Sequence, residues 1–276
     1  TEVSYDTYSE VIFRFDLDTG ECVKLDNYVA EPVVEDPNGA NGVTMGQDGS
    51  MQVFNSSTNI QTMAPGADGT IWLFRQTNSY ADDGTEGDSI SELIQLDAHG
   101  TLLRTITPVS DEETDDTDSW RYTYIDSILS DDKGYVYTYD YQTVNVYGPD
   151  GSFVFSKSGD ELNGQFCQLS ESEVGITASS ADGKMVFRQL DPETKDWGKE
   201  SPISSRAWNI FPGNDVYTYF FTNNGSIFGE RKDTGEVEKV VDWLACDVDA
   251  NDLNTYIVLP DGRVLSVGPD YSRSLY

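Results

Sequence analysis

One histidine and three cysteines are all that 276 residues offer to imidazole or thiolate chemistry. The histidine, His99, sits in Asp97-Ala98-His99-Gly100-Thr101, which reads as a hairpin turn, so a catalytic histidine base is excluded. Cys22, Cys167 and Cys246 show no C-x-x-C spacing and no neighbouring histidine, which excludes a zinc site. Each lies in a strand-like context and is expected to be a buried, small apolar side chain, with at least one unpaired because the count is odd. Basic residues are also scarce. Lys and Arg number 17 against 49 Asp and Glu, a net charge of −32. Such a surface repels phosphate backbones and anionic headgroups, which argues against nucleic-acid and peripheral membrane binding. No apolar run reaches the ~18 residues of a membrane span, so no direct membrane insertion is expected. Helical periodicity is nearly missing, and so are a Gly-x-Ser-x-Gly elbow and Asp boxes of the Ser-x-Asp-x-Gly-x-Thr-Trp form. The chain opens on Thr1 and reads as a mature or trimmed product.

What is present is short runs rich in Val, Ile, Tyr, Phe and Thr with a period near two, such as Thr70–Phe74, Tyr135–Tyr139, Thr143–Tyr147 and Val216–Phe220. That pattern fits half-buried strands. Asp48-Gly49, Asp68-Gly69, Lys133-Gly134, Asp150-Gly151, Asp182-Gly183, Asn224-Gly225 and Asp261-Gly262 each precede such a run and predict two-residue hairpin turns. A second turn, Asp-Thr-Gly-Glu, occurs at 18–21 and again at 233–236.

The recurrence of four strands per 40–50 residues is the pattern of β-propeller blades. Units are expected near 9–55, 60–109, 124–159, 164–203, 208–243 and 244–276. The sequence therefore predicts an all-β fold, a single propeller domain of four-stranded antiparallel blades, five or six in number. Five follow if strands from both termini share the closing blade, and six, which the length favours, if the N-terminal stretch makes its own. Two face-to-face sandwiches or a long meander are the alternative. An acidic loop spans 111–118, and a polar loop spans 78–88.

Gly66-Ala67-Asp68-Gly69-Thr70-Ile71-Trp72-Leu73 resembles the blade motif of extracytoplasmic propellers, and Gly148-Pro149-Asp150-Gly151-Ser152-Phe153 and Leu259-Pro260-Asp261-Gly262-Arg263-Val264 repeat its hairpin. The groups resembled are two-component sensor propellers, streptogramin-lyase-like and gluconolactonase-like proteins, and propeller-like regions of bacterial surface lipoproteins, some joined to solute-binding domains. The lyase resemblance implies catalytic histidine, which this chain does not have to spare. The gluconolactonase resemblance implies a divalent cation held at the axis by carboxylates and Asn, hence a metal-dependent lactonase or hydrolase as the alternative function. Asp247, Asp249 and Asn251 place oxygens at alternate positions like the start of a calcium loop. Asp252 and Val258 then stand where that loop needs its Gly and its bidentate Glu.

Loops between blades are where propellers carry recognition. Here they hold aromatics beside polar groups: Tyr80, then Trp120, Arg121 and Tyr122, then Tyr141 and Gln142, then Arg206 and Trp208. Such rings fit a carbohydrate, peptide or protein partner, or they pack between blades. The expected function is a non-catalytic, monomeric extracellular or cell-surface recognition module without a cofactor. A structural propeller within a larger surface lipoprotein is the third reading.

Overall fold

The computed structural model describes residues 11–16, 18–28, 43–45, 51–81, 86–109, 124–205, 207, 209–222, 226–242, 255–259, 261–267 and 273–275. Among these it contains 22 strands and two 3-10 turns, η1 (Ala67–Gly69) and η2 (Asp160–Leu162), and no helix long and apolar enough to cross a membrane. The chain forms two compact units, Thr1–Ile128 and Leu129–Tyr276.

In the first unit, β1 (Phe13–Phe15) and β2 (Cys22–Lys24) form a hairpin that is a sheet of its own. β3 (Val43–Met45), β4 (Met51–Pro65), β5 (Ile71–Ala81), β6 (Glu86–Leu96) and β7 (Leu102–Ile106) make a five-stranded antiparallel meander in chain order. β4 runs unbroken through the expected gap at 55–60, because no Gly or Pro interrupts residues 51–64. The hairpin turns Ile12 and Leu25 onto Leu73, Ile94 and Leu96 of this sheet. Alternation then points Cys22 outward, so Cys22 is exposed and not buried as expected.

The second unit repeats one pattern. β8 (Ser127–Ser130), which starts at the boundary, β9 (Val136–Tyr139), β10 (Thr143–Tyr147) and β11 (Phe153–Ser158) form a four-stranded antiparallel meander. β12 (Phe166–Ser170), β13 (Glu173–Ser179), β14 (Met185–Asp191) and β15 (Asp196–Pro202) form the next. β16 (Asn209–Phe211), β17 (Tyr217–Phe221), β18 (Ser226–Arg231) and β19 (Val237–Asp242) form a third. β20 (Thr255–Val258), β21 (Val264–Val267) and β22 (Arg273–Leu275) give a three-stranded sheet. The described residues thus hold five sheets of three or more strands, of β-propeller blade type.

These sheets pack face to face in sequence. Tyr137, Val144, Val146 and Phe155 of the 127–158 sheet meet Val174, Ile176 and Leu190 of the 166–202 sheet. The other face of that sheet sets Cys167, Leu169 and Phe187 against Ile210 and Phe220. Tyr219, Ile227 and Val241 then meet Val258 and Val264. The first strands of two sheets are tied by the Gln165 side-chain amide. Its Nε2 donates to the Ile210 carbonyl (3.1 Å), and its Oε1 accepts from the Ile210 N–H (2.8 Å). Central strands depart from the half-buried expectation: every residue of β9 and β10 is buried, because both faces of the sheet are covered.

The turns differ in kind from the expected two-residue hairpins. Gly151 N–H donates to the Gly148 carbonyl (2.8 Å), and Gly148 N–H donates to the Ser152 carbonyl (2.7 Å). That is a type I turn closed by one left-handed glycine, Gly151 at φ +85°. The same pair of bonds recurs at 97–101, 131–135, 180–184 and 259–263. Only the glycine needs positive φ, so the residue before it varies among Asp, Lys and His. Asp68, at φ +56°, is the exception. Asp48-Gly49 and Asn224-Gly225 lie outside the described residues.

Candidate functional site

In an antiparallel meander the second-to-third turn and the connection leaving the fourth strand fall at the same end of the sheet. In the 127–158 sheet these are 140–142 and 159–165, and a bond from Gly159 N–H to the Gln142 carbonyl (3.2 Å) joins them. Tyr141 and Gln142 stand there, both exposed. The Asp140 carboxylate shapes the turn by accepting from the N–H groups of Gln142 (2.9 Å) and Thr143 (2.6 Å).

Tyr141 is 60% exposed and sits at φ +73°. For a bulky residue this left-handed conformation is costly and is retained only where the surroundings impose it. Its ring lies 5.7 Å from Tyr139, whose ring lies 5.2 Å from Phe166. The Tyr139 hydroxyl donates to the Tyr141 carbonyl (3.4 Å). An aromatic series thus runs from the core outward: Tyr139 is buried and Phe166 partly so. Tyr139 and Phe166 escape a sequence search for loop aromatics because both belong to strands. The conformation of Tyr141 has no sequence signal, since neither Gly nor Asn marks the position.

The other expected contacts divide as follows. Tyr80 falls near the end of β5, with its side chain outside the described part. Trp120, Arg121, Tyr122, Arg206 and Trp208 lie outside the described residues, as do the expected metal ligands Asp247, Asp249 and Asn251. Among the described residues no group of three His, Cys, Asp or Glu side chains has metal-ligand geometry.

Cys167 and Asp131 are buried. Burial pushes the Cys167 thiol up to about 12, which leaves it a packing residue. Asp131 is 5% exposed and belongs to a turn. It accepts from Lys133 N–H (3.0 Å), Tyr135 N–H (2.9 Å) and the Tyr137 hydroxyl (2.9 Å). All its donors are structural, so it reads as the buried anchor of the 131–135 turn. Its counterpart in the 97–101 turn, the half-buried Asp97, is held below the usual carboxylate range, chiefly by the N–H of Thr101. Desolvation instead raises Asp131 against its three donors.

A carboxyl raised on folding binds more protons in the folded than in the unfolded state. Its contribution to stability is therefore complete below the unfolded value and is lost as pH climbs through the folded one. The stability of the protein relative to an Asp131→Asn variant is expected to fall as pH climbs from the ordinary carboxylate value of 3.8 toward neutrality. Urea midpoints of both proteins across that range test this, and parallel profiles would refute it.

No protein-family model matches the chain, and no curated protein matches it. Solved structures similar to it include a chain in the crystal structure of the mitotic checkpoint complex, at 11% identity and TM-score 0.42, covering 97% of this chain and 81% of that one. The C-terminal WD40 domain of Sif2 is similar at 12% identity and TM-score 0.38, covering 86% and 75%. PorZ, a surface component of the type-IX secretion system of Porphyromonas gingivalis, is similar at 11% identity and TM-score 0.37, covering 86% and 31%. The fold rests on the sheets themselves: consecutive antiparallel meanders, four-stranded in the repeating part, make this an all-β chain of β-propeller type.

Proposed function

We propose that the chain is a non-catalytic recognition module of the cell surface or extracellular space. It engages a protein, peptide or carbohydrate partner through the loop end that carries Tyr141 and Gln142. The observation that carries this reading is the exposed Tyr141 ring held in a left-handed backbone on a buried aromatic base. A fold selected for stability alone would favour glycine at that position. Large rings with few torsions supply contact area at little entropic expense, which suits a binding anchor.

A Tyr141→Gly variant is expected to be more stable by about 1 kcal/mol, because the left-handed penalty disappears. It should also bind at least about tenfold more weakly, as loss of an anchor does. Ligands selected from an oligosaccharide array and a displayed peptide library serve as probes, with titration and thermal unfolding run on both proteins. Unchanged affinity for every selected ligand would remove Tyr141 from the binding face.

A further inference from the structure

We propose that Trp197 is a positioning residue for the binding turn: it latches η2, and η2 holds Tyr141 and Gln142 in place. This rests on the recognition reading above and names what controls the same site.

The connection from β11 to β12 begins with a hinge. Gly159 sits at φ +93° and ψ −159°, a region that only glycine enters readily, and a Cβ there would meet nothing within 4 Å. Its N–H donates to the Gln142 carbonyl (3.2 Å), so the binding turn follows the hinge. Gly159 is also the N-cap of η2 and supplies no side chain to cap it. Two side chains secure η2 instead. Leu162 is buried in the cluster that holds Val174, Ile176 and Leu190. Glu161 is exposed and accepts a bond from the Trp197 indole N–H, which comes from the 166–202 sheet. One buried leucine keeps a three-residue turn on the core but leaves it free to rotate about that leucine. The Glu161 bond is the second point of attachment. Trp197 is fixed in turn. Its ring packs on the same cluster, with Arg188 at 5.4 Å and Lys157 at 5.9 Å over it. Arg188 is paired with Glu200 (3.0 Å) and Lys157 with Asp196. Packing alone asks only for a ring at position 197. The N–H directed at η2 ties that ring to the binding turn.

Amide exchange of the full chain, followed by NMR, reads the hinge without any ligand. Trp197→Phe keeps a ring beside Arg188 and Lys157 but removes the donor, and Glu161→Ala removes the acceptor. Each is expected to speed exchange of the Gly159 N–H about three- to tenfold and to leave the amides of β13 and β14 within about twofold of the parent. The double variant is expected to match the single ones, since both break one bond. Glu161→Gln, whose amide oxygen still accepts, is expected to restore most of the protection. A peptide selected from the displayed library and lost on Tyr141→Gly should bind Trp197→Phe about two- to fivefold more weakly. If Gly159 exchanges at the parent rate in both single variants, or if β13 and β14 speed up with it, Trp197 only packs and the inference fails. It fails as well if Gly159 loosens and the peptide binds Trp197→Phe as tightly as the parent. Glu161 is exposed, so its variant keeps the test decisive should Trp197→Phe misfold. If Gly159 responds as expected while no selected peptide or oligosaccharide is lost on Tyr141→Gly, the latch stands and the recognition reading falls.

Discussion

Replacing Phe187 by alanine is expected to destabilise the protein by about 3–5 kcal/mol, the range for emptying a buried aromatic site. Phe187 is 0% exposed and lies in β14, where it packs with Cys167 and Leu169 of its own sheet and with Ile210 and Phe220 of the next. Removing the ring opens a void between two sheets, neither of which can collapse onto it without shifting its ladder. Part of that ladder, the β13–β14 register, pairs Phe187 with Thr177. Phe187→Leu should lose much less, since most of the volume stays. Denaturant unfolding is the measurement, with an unchanged slope expected and a drop in Tm of about 6–20 °C. A loss under about 1 kcal/mol would mean that the two sheets are not joined through this cluster.

The second large effect comes from adding one carbon. A Cβ on Gly164 would lie 1.6 Å from the Thr177 carbonyl oxygen and 2.6 Å from its carbon. Both atoms are backbone, so no side-chain rotation relieves the clash. The neighbouring bonds hold the approach close: Gln165 N–H donates to Thr177 Oγ1 (2.8 Å), and Thr177 N–H donates to the Gln165 carbonyl (2.9 Å). Pushing the segment away breaks that pair and strains the Gln165 clamp onto Ile210. Overpacking of about 1–3 kcal/mol, with about 1 kcal/mol for each bond lost, gives an expected destabilisation of about 3–5 kcal/mol for Gly164→Ala. Gly198→Ala is the control. Its new Cβ would meet the Asp191 Cβ at 3.0 Å, an edge contact that can give way, and the change should stay below about 1 kcal/mol. Similar losses in the two variants would show that the Gly164 approach is not a fixed feature of the fold.

The strands and their grouping were legible because Asp-Gly and Lys-Gly pairs stand directly before apolar runs, and such pairs fix where a meander reverses. The turn type was not. Gly151 alone takes positive φ, and a sequence cannot show that the aspartate before it stays right-handed. The close approach of Gly164 was equally hidden, since a glycine after Asn163 reads as an ordinary loop residue until Thr177 is placed beside it. Cys22 was misjudged by parity: the hairpin commits Ile12 and Leu25 to the core and leaves Cys22 on the reverse face. Of the candidate site, Tyr141 and Gln142 were found through their loop composition. Tyr139 and Phe166 were missed, because both belong to strands.

Among the described residues of the 129–276 unit, the apolar clusters around Val146, Phe187 and Ile227 each belong to two successive sheets, which makes rigidity a property of neighbours. Among the described residues, the 166–202 and 209–242 sheets are each clasped on two sides within that unit, and the 255–275 sheet on one, through Val258 and Val264. Breathing motions should therefore begin at the carboxy-terminal meander and fade inward, so that amide protons of β13 and β14 outlast those of β20 and β21 in exchange with solvent. Such a gradient would let the last sheet adjust while the strands beneath Tyr141 keep their spacing.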